Sequence, residues 1–414
     1  ELKWDLARVG WIRDRLHHIS DPVRRALVER FLALYEAEVA PSLSSLRRSV
    51  VYGDANDHNV LVGDPRAQPR QVVSVIDFGD LHHGLTVSEP AIAAAYAILG
   101  KSDPLAAAGR VVAGYHQVFP LEEAEIALLY PLIGARLAVS VTNAAYRKML
   151  KPDDPYVTIS EAPAWEALER LARIHPSLAH YSFRAACGLP PVPHTQKIVG
   201  WLQAQAGEAA PLLQVDLRSA PSLVFDMSLG SPLLGADPRA AETEALSETL
   251  FAAMKRAGVT VGVGRYDEAR LVYTSSLFGA GENPTDERRT IHLGVDLFVE
   301  PGSAVHAPLE GAVHTLANNQ APQDYGPLAI LRHATDQGLP FFTLYGHLSE
   351  ETLAGLVVGQ RVEAGQRIGW VGAPPTNGNW PPHVHFQIVT DLLELGAEFP
   401  GVAYASQRAV WTGL

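Results

Sequence analysis

Four histidines and one aspartate in the last third of the chain have the types and spacing of a metal-assisted hydrolytic site. They lie in His292-Leu-Gly-Val-Asp296, Tyr345-Gly-His347 and His383-Val-His385. In an extended segment, residues an even number apart point to one face, so His292 would share a face with Asp296, and His383 with His385. Three of these groups can then converge on one ion while two stand beside it. A catalytic zinc takes three nitrogen or oxygen ligands and keeps its fourth position open, which suits the count.

A second constellation lies upstream. Asp54 and Asn59 sit in Gly53-Asp-Ala-Asn-Asp-His-Asn59, after the apolar strand candidate Val50-Val-Tyr52. Short strands over 60–62 and 72–76 lead to Asp77-Phe-Gly-Asp80. An aspartate, an asparagine five residues on, and an aspartate after the next strand is the phosphoryl-transfer layout. The first accepts the substrate hydroxyl proton, and the other two hold magnesium against the nucleotide phosphates. Two turns capped by their own Asp and Asn side chains are the plainer reading. That reading leaves the order of the three residues unexplained. His82-His83 is read as polar loop, because neighbours on a strand face opposite ways and seldom serve one ion.

The surrounding elements must position these groups. Asp21-Pro22 starts a helix that ends at Pro41, with Val23, Leu27, Phe31, Leu34 and Tyr35 at helical spacing. Ile126–Val141 is a buried helix, interrupted by Pro131, Gly134 and Arg136 and too short to span a bilayer. Gly188-Leu-Pro-Pro-Val-Pro-His194 reads as a linker. Glu242–Ala257 predicts an amphipathic helix with Leu246, Leu250, Phe251 and Met254 inward and Gly258 at its end. Gly262-Val-Gly264 predicts a turn, and Gly279–Pro284 a loop leading to His292. Beyond Ile291 the candidates are short strands: Val295–Phe298, Ser303–Ala307, Gly311–Thr315, Leu328–Arg332, Phe341–Leu344, Arg361–Val362, Ile368–Val371 and His385–Val389. Such spacing argues an all-β, mostly antiparallel unit. His306, His314 and His333 fall outside the motif and are read as structural.

Composition sets the class. At 414 residues, 47% hydrophobic and 19% charged, the chain is a multidomain globular protein. A net charge of −12, with no basic stripe, excludes a general nucleic-acid binder. The start is no signal peptide, and the single Cys187 fits a reducing compartment, so the expected location is cytoplasmic, with no membrane partner.

Gly53–Val62 and Ile76–Asp80 resemble the aminoglycoside phosphotransferase and choline kinase family, closest to its hydroxylysine kinase branch. The resemblance covers residues 1–190. It implies the mainly helical (α+β) C-lobe of a kinase-like fold, with helices over Glu89–Ile174 on the side of a small amino-alcohol substrate. By it Asp54 is the catalytic base, and Asn59 and Asp77 bind magnesium. Tyr52 stands where the family has histidine, so weakened packing is expected there. Nothing before residue 50 resembles a nucleotide-binding N-lobe. Magnesium and ATP are therefore expected only if that lobe is supplied, and this lobe is expected to be inactive by itself.

The histidine motifs, with Gly302–Pro308, Gly311-Ala-Val313 and Val362–Gly369, resemble the lysostaphin and LytM zinc endopeptidases over residues 285–395. This implies that His292, Asp296 and His385 bind zinc, while His347 and His383 flank the metal-bound water and the carbonyl of a peptide substrate, in the family a glycine-containing one. The expected organisation is a kinase C-lobe at 1–190, a linker and connecting α/β region at 191–280, the peptidase domain at 281–400 and an extension at 401–414. Together these resemble part of bacterial fusions with a class III, pyridoxal-phosphate-dependent aminotransferase or phospho-lyase. The rival expectation for the peptidase domain is a non-catalytic zinc-binding scaffold.

Overall fold

The computed structural model describes residues 2–64, 66–151, 161–235, 238–281, 283 and 286–414. Residues 152–160 of the expected helical stretch, and 282 and 284 of the expected loop, lie outside that set. The chain divides into two compact units, Glu1–Pro191 and Val192–Leu414.

The first unit is mainly helical. The Asp21 carboxylate accepts from the N–H groups of Val23 (2.8 Å) and Arg24 (3.4 Å), and Pro22 takes the first helical position, where no N–H is needed. The helix Pro22–Leu34 continues into a π-turn, Tyr35–Val39, and a 3-10 turn, Ala40–Ser42, so Pro41 does mark its end. Leu129–Leu150 is the central helix and buries Leu132, Ile133 and Val141 in one core with Val28, Phe31 and Leu32. No helix among the described residues is long and apolar enough to cross a membrane. Two antiparallel ribbons, Arg48–Val51 with His82–Leu85 and Val60–Val62 with Val72–Val75, carry the loops of Asp54, Asn59 and Asp77. His82 and His83 therefore open a strand and are not loop residues. They still face apart, His82 half-buried and His83 exposed.

The second unit is built on an eight-stranded sheet. Its order is Arg361–Val362, Gly311–Asn319, Gly326–Ala334, Pro340–Gly346, His383–Val389, Val295–Phe298, Gly262–Gly264 and Leu223–Phe225. All neighbours are antiparallel except the last pair. That parallel pair is joined by the helix Thr243–Ala257, which buries Leu246, Leu250 and Met254 and stops at Gly258 with φ of 69°. Residues 192–280 thus contribute two strands to the same sheet as the histidine motifs.

The turn expected at Gly262-Val-Gly264 is a sheet strand. A Cβ on Gly262 would stand 2.3 Å from the Phe225 ring, and one on Gly264 would stand 2.8 Å from Arg270 Nη2. These glycines mark close approach inside the sheet, not reversal of the chain. Beyond residue 400, Val402–Tyr404 pairs with Arg289–His292, tying that stretch to the unit.

Candidate metal centre

His292 ends the strand Arg289–His292, while Asp296 lies on Val295–Phe298 in a different sheet. Their approach comes from the bend at Gly294, not from a shared strand face. His383 and His385 do share a face of one strand, and His385 stands opposite Asp296 in register. His347 follows the strand Pro340–Gly346 with φ of 63°, its N–H donated to the Tyr325 carbonyl at 2.8 Å. All five residues come together in a buried cluster.

Three atoms form a small triangle. His292 Nε2 lies 3.1 Å from His385 Nδ1, and Asp296 Oδ1 lies 3.1 Å from each. Donors about 2.0–2.1 Å from a tetrahedral zinc stand roughly 3.3 Å apart, so the triangle has the edge length that ion requires. The outward nitrogen of every ring is already spent. His292 Nδ1 meets the Arg265 carbonyl (2.9 Å), His347 Nδ1 that of Asn377 (2.9 Å), and His383 Nδ1 that of Pro381 (2.6 Å). His385 Nε2 meets Gln387 Oε1 at 3.3 Å. With each N–H donated outward, the inner nitrogens of His292, His385 and His383 face Asp296 Oδ1 at 3.1, 3.1 and 3.5 Å, and His347 packs against the His383 ring. Such a concentration of acceptors is satisfied by a cation, and the donor set fits zinc.

Burial, with the Arg270 guanidinium, pushes the His292 imidazole down to about 4. Burial also lowers His383, and burial with the neighbouring rings His383 and His385 holds His347 well below the ordinary histidine value. Burial alone would raise Asp296, but any charge on the facing His292 and His383 rings, and the permanent charge of Arg270 bonded to Oδ2, hold it well below the ordinary carboxylate value. Neutral rings beside an ionised carboxylate are the protonation states that metal ligation needs.

A cavity of about 130 Å³ opens onto the cluster, with an apolar wall of Leu246, Val272, Leu277, Phe278 and Trp380 and a polar one that includes Arg289, Gln323, Asp324 and Glu398. Sequence reading missed Arg265, Glu268, Arg270 and Asn377. The first three sit in a charged run, Arg265-Tyr-Asp-Glu-Ala-Arg270, that looks like a solvated loop. Of the histidines read as structural, His333 is buried and bonded at both nitrogens, to the Glu310 carbonyl and Thr343 Oγ1.

In the first unit Asn59 Nδ2 donates to Asp54 Oδ2 at 2.7 Å, joining two of the three predicted residues. Asp77 is exposed with φ of 60°, and the Ile76 N–H beside it donates to the Asn59 carbonyl at 3.0 Å. Burial, with Asp54 and Asp77 close by, raises the Asp80 carboxyl. The three carboxyls are thus near enough to interact electrostatically, though of the predicted residues only Asp54 and Asn59 are joined by a hydrogen bond. Buried Arg136 donates to Tyr96 Oη at 2.6 Å, and Tyr96 donates to Asp54 Oδ1 at 3.4 Å, a relay that no motif announced. At Tyr52, where weakened packing is expected, the hydroxyl donates to the Ile76 carbonyl and the ring meets exposed Phe78 edge-on at 5.6 Å.

The first unit carries a kinase-like region and the second a metallopeptidase-like domain, joined in one chain. Residues 2–129 match the phosphotransferase enzyme family, and residues 290–394 match peptidase family M23. Hydroxylysine kinase of Mus musculus is 31% identical over 173 residues, 41% of this chain and 46% of the relative. The chain thus spans about half the length of the curated kinases it matches. Glycyl-glycine endopeptidase ALE-1 of Staphylococcus capitis is 32% identical over 114 residues, 28% of this chain and 29% of that protein. The catalytic domain of the antimicrobial peptidase lysostaphin from Staphylococcus simulans is 29% identical, covering 28% of this chain and 79% of its own, with a TM-score of 0.21.

Proposed function

We propose that the second unit is a zinc endopeptidase in which His292, Asp296 and His385 hold the ion. The observation that carries this is the convergence of His292 Nε2 and His385 Nδ1 on Asp296 Oδ1, with the outward nitrogens of both rings already bonded. Bound zinc supplies Lewis acidity, polarising a peptide carbonyl and lowering the pKa of a water towards ~7. His347 and His383, with ring centroids 4.4 Å apart, stand beside the ligands, His383 Nε2 lying 3.5 Å from Asp296 Oδ1, and one of the two takes a proton at Nε2. A ring so protonated then donates to the developing oxyanion or to the leaving amine. The cavity beside the cluster binds a side chain of the peptide against its apolar wall of Leu246, Val272, Phe278 and Trp380.

Zinc analysis of the purified chain, paired with a peptide library that includes glycyl-glycine bonds, tests this. Hydrolysis that depends on zinc and on His383 is the expected result. Zinc at full occupancy with no cleavage of any peptide would instead assign a scaffold role.

The first unit is proposed to be the C-lobe of a phosphotransferase for a small amino alcohol. Asp54 acts as base, and Asn59 and Asp77 hold magnesium. The Asn59–Asp54 hydrogen bond and the electrostatic interaction of Asp80 with Asp54 and Asp77 support this assignment. Hydroxylysine, named by the relatives, is the first compound to test by calorimetric titration against wild type and Asp54→Ala.

A further inference from the structure

We infer that Arg265–Arg270, which lies outside the segment matching the peptidase family, is part of the metal centre, and that Arg270 is a positioning residue that makes Asp296 a one-oxygen ligand. The inference rests on the reading of His292, Asp296 and His385 as a zinc site. Arg270 is 2% exposed and Asp296 3%. Arg270 Nη1 donates to Asp296 Oδ2 at 2.6 Å, so that oxygen is taken from the side opposite the histidines. Only Oδ1 faces His292 and His385. A carboxylate with both oxygens free can chelate a cation. One held by a charge-assisted hydrogen bond, roughly twice as strong as a neutral one, offers a single atom. Three single-atom donors leave the fourth tetrahedral position open, which separates a catalytic site from a closed structural one.

Arg270 itself has no freedom to swing. Its Nε donates to Glu268 Oε2 at 2.8 Å and its Nη2 to the Arg265 carbonyl at 3.1 Å, so all three guanidinium nitrogens are engaged. The same Arg265 carbonyl accepts His292 Nδ1 at 2.9 Å, so one peptide group orients two ligands, His292 directly and Asp296 through Arg270. Glu268 is fixed in turn by Arg265 Nε (2.9 Å) and the Met227 N–H (3.1 Å). Backbone bonds clamp the stretch along the strand bearing His292: Asp267 N to His292 O (2.8 Å), His292 N to Glu268 O (3.0 Å) and Arg270 N to Thr290 O (2.8 Å). Glu268 also offsets the Arg270 charge, so Asp296 keeps its attraction for a cation. Gly264, opposite Asp296 in register, leaves the space that the guanidinium occupies.

The test uses the full chain and measures zinc affinity by chelator competition, with X-ray absorption on the zinc-loaded protein. Arg270→Met is expected to weaken zinc binding by about 10–100-fold, the range for loss of a partner that orients a ligand. Its absorption spectrum should show an added oxygen neighbour as Oδ2 is released. Arg270→Lys should recover part of the affinity. Because Arg270→Met leaves Glu268 buried without its partner, the double variant Arg270→Met/Glu268→Gln serves if the single one does not fold, with the same loss expected. Zinc affinity in the folded variants equal to wild type, with an unchanged oxygen shell, overturns the inference and leaves the zinc site standing. A wild-type chain that binds no zinc overturns both.

Discussion

His292 Nε2 and His385 Nδ1 face each other at 3.1 Å, and each ring has its other nitrogen bonded to an oxygen. Neither can donate to the other in the neutral state, so the pair is held together against lone-pair repulsion by the packing around it. A shared cation turns that repulsion into attraction. With free zinc at ~100 times its Kd, the chain should gain about 2.7 kcal/mol of stability. Thermal melts with zinc and with a chelator check this. His292→Ala should lose both the zinc and the shift, and identical melts for wild type would refute the site.

The two histidines beside the ligands should separate binding from turnover. His383→Gln and His347→Asn are expected to keep zinc and lose hydrolysis by ~10²–10⁴-fold, the span of general acid–base contributions. Asparagine is the choice at 347 because φ there is 63°, a region asparagine tolerates better than alanine. Loss of zinc in either variant would move that histidine into the ligand set.

Asn377 has a positional role that its chemistry alone does not advertise. Fully buried, it donates to the Trp380 carbonyl at 2.9 Å and accepts the Trp380 N–H at 3.2 Å, while its own carbonyl holds His347 Nδ1. Asn377→Ala should cost ~1–3 kcal/mol by stranding buried backbone groups. It should lower kcat more than it raises KM. Denaturant melts and steady-state kinetics measure the two effects, and unchanged kcat would break the link to His347.

The cavity beside the cluster invites a steric block at its apolar wall. Leu277 lines it and is 37% exposed, so a larger side chain can be placed there without overpacking the core. Leu277→Trp should raise KM for peptides bearing a bulky apolar residue next to the cleaved bond and leave zinc content untouched. Equal kinetics for wild type and variant would remove the cavity from the substrate path.

In the first unit the pH dependence has a defined sign. Burial, then Asp54 and Asp77, raise the Asp80 carboxyl above its ordinary 3.8, against the pull of Arg136 and His82. The unfolded chain then ionises this group more readily than the folded one. Stability falls as pH rises from 3.8 through the raised value and stays lower above it. Asp80→Asn should melt higher than wild type above that window and alike below it, and added magnesium should narrow the gap. Parallel pH profiles would show that the Asp80 carboxyl is not raised in the folded chain.

Much of the peptidase half was legible because its strands are short, alternate and punctuated by glycines. Val295–Phe298 and Arg361–Val362 fall where the pattern puts them. Four of the five motif residues stood out as the evenly spaced pairs His292–Asp296 and His383–His385, although the first pair is brought together by the bend at Gly294 and not by one strand. Arg270 stayed hidden for a physical reason: a buried arginine within a charged run has the same local signature as a solvated one. Only the fold supplies Asp296 as its partner. Gly262 and Gly264 misled for a related reason, since glycine marks both reversal of a chain and crowding within a sheet. In the first unit the order Asp54, Asn59 and Asp77 was readable, but the Arg136–Tyr96 support spans 40 residues and left no trace in spacing.

The two strands that residues 192–280 add to the sheet bear on how the molecule can be cut. A fragment trimmed to the matched segment, residues 290–394, would leave Val295–Phe298 with one flank of unpaired N–H and C=O groups where Gly262–Gly264 now pairs. It would also uncover Phe298, which packs edge-on against Phe225 with centroids 5.7 Å apart. An exposed apolar edge strand is a template for intermolecular pairing. A minimal domain taken from this chain should therefore begin at Val192, and a shorter one is expected to come out of cells as aggregate.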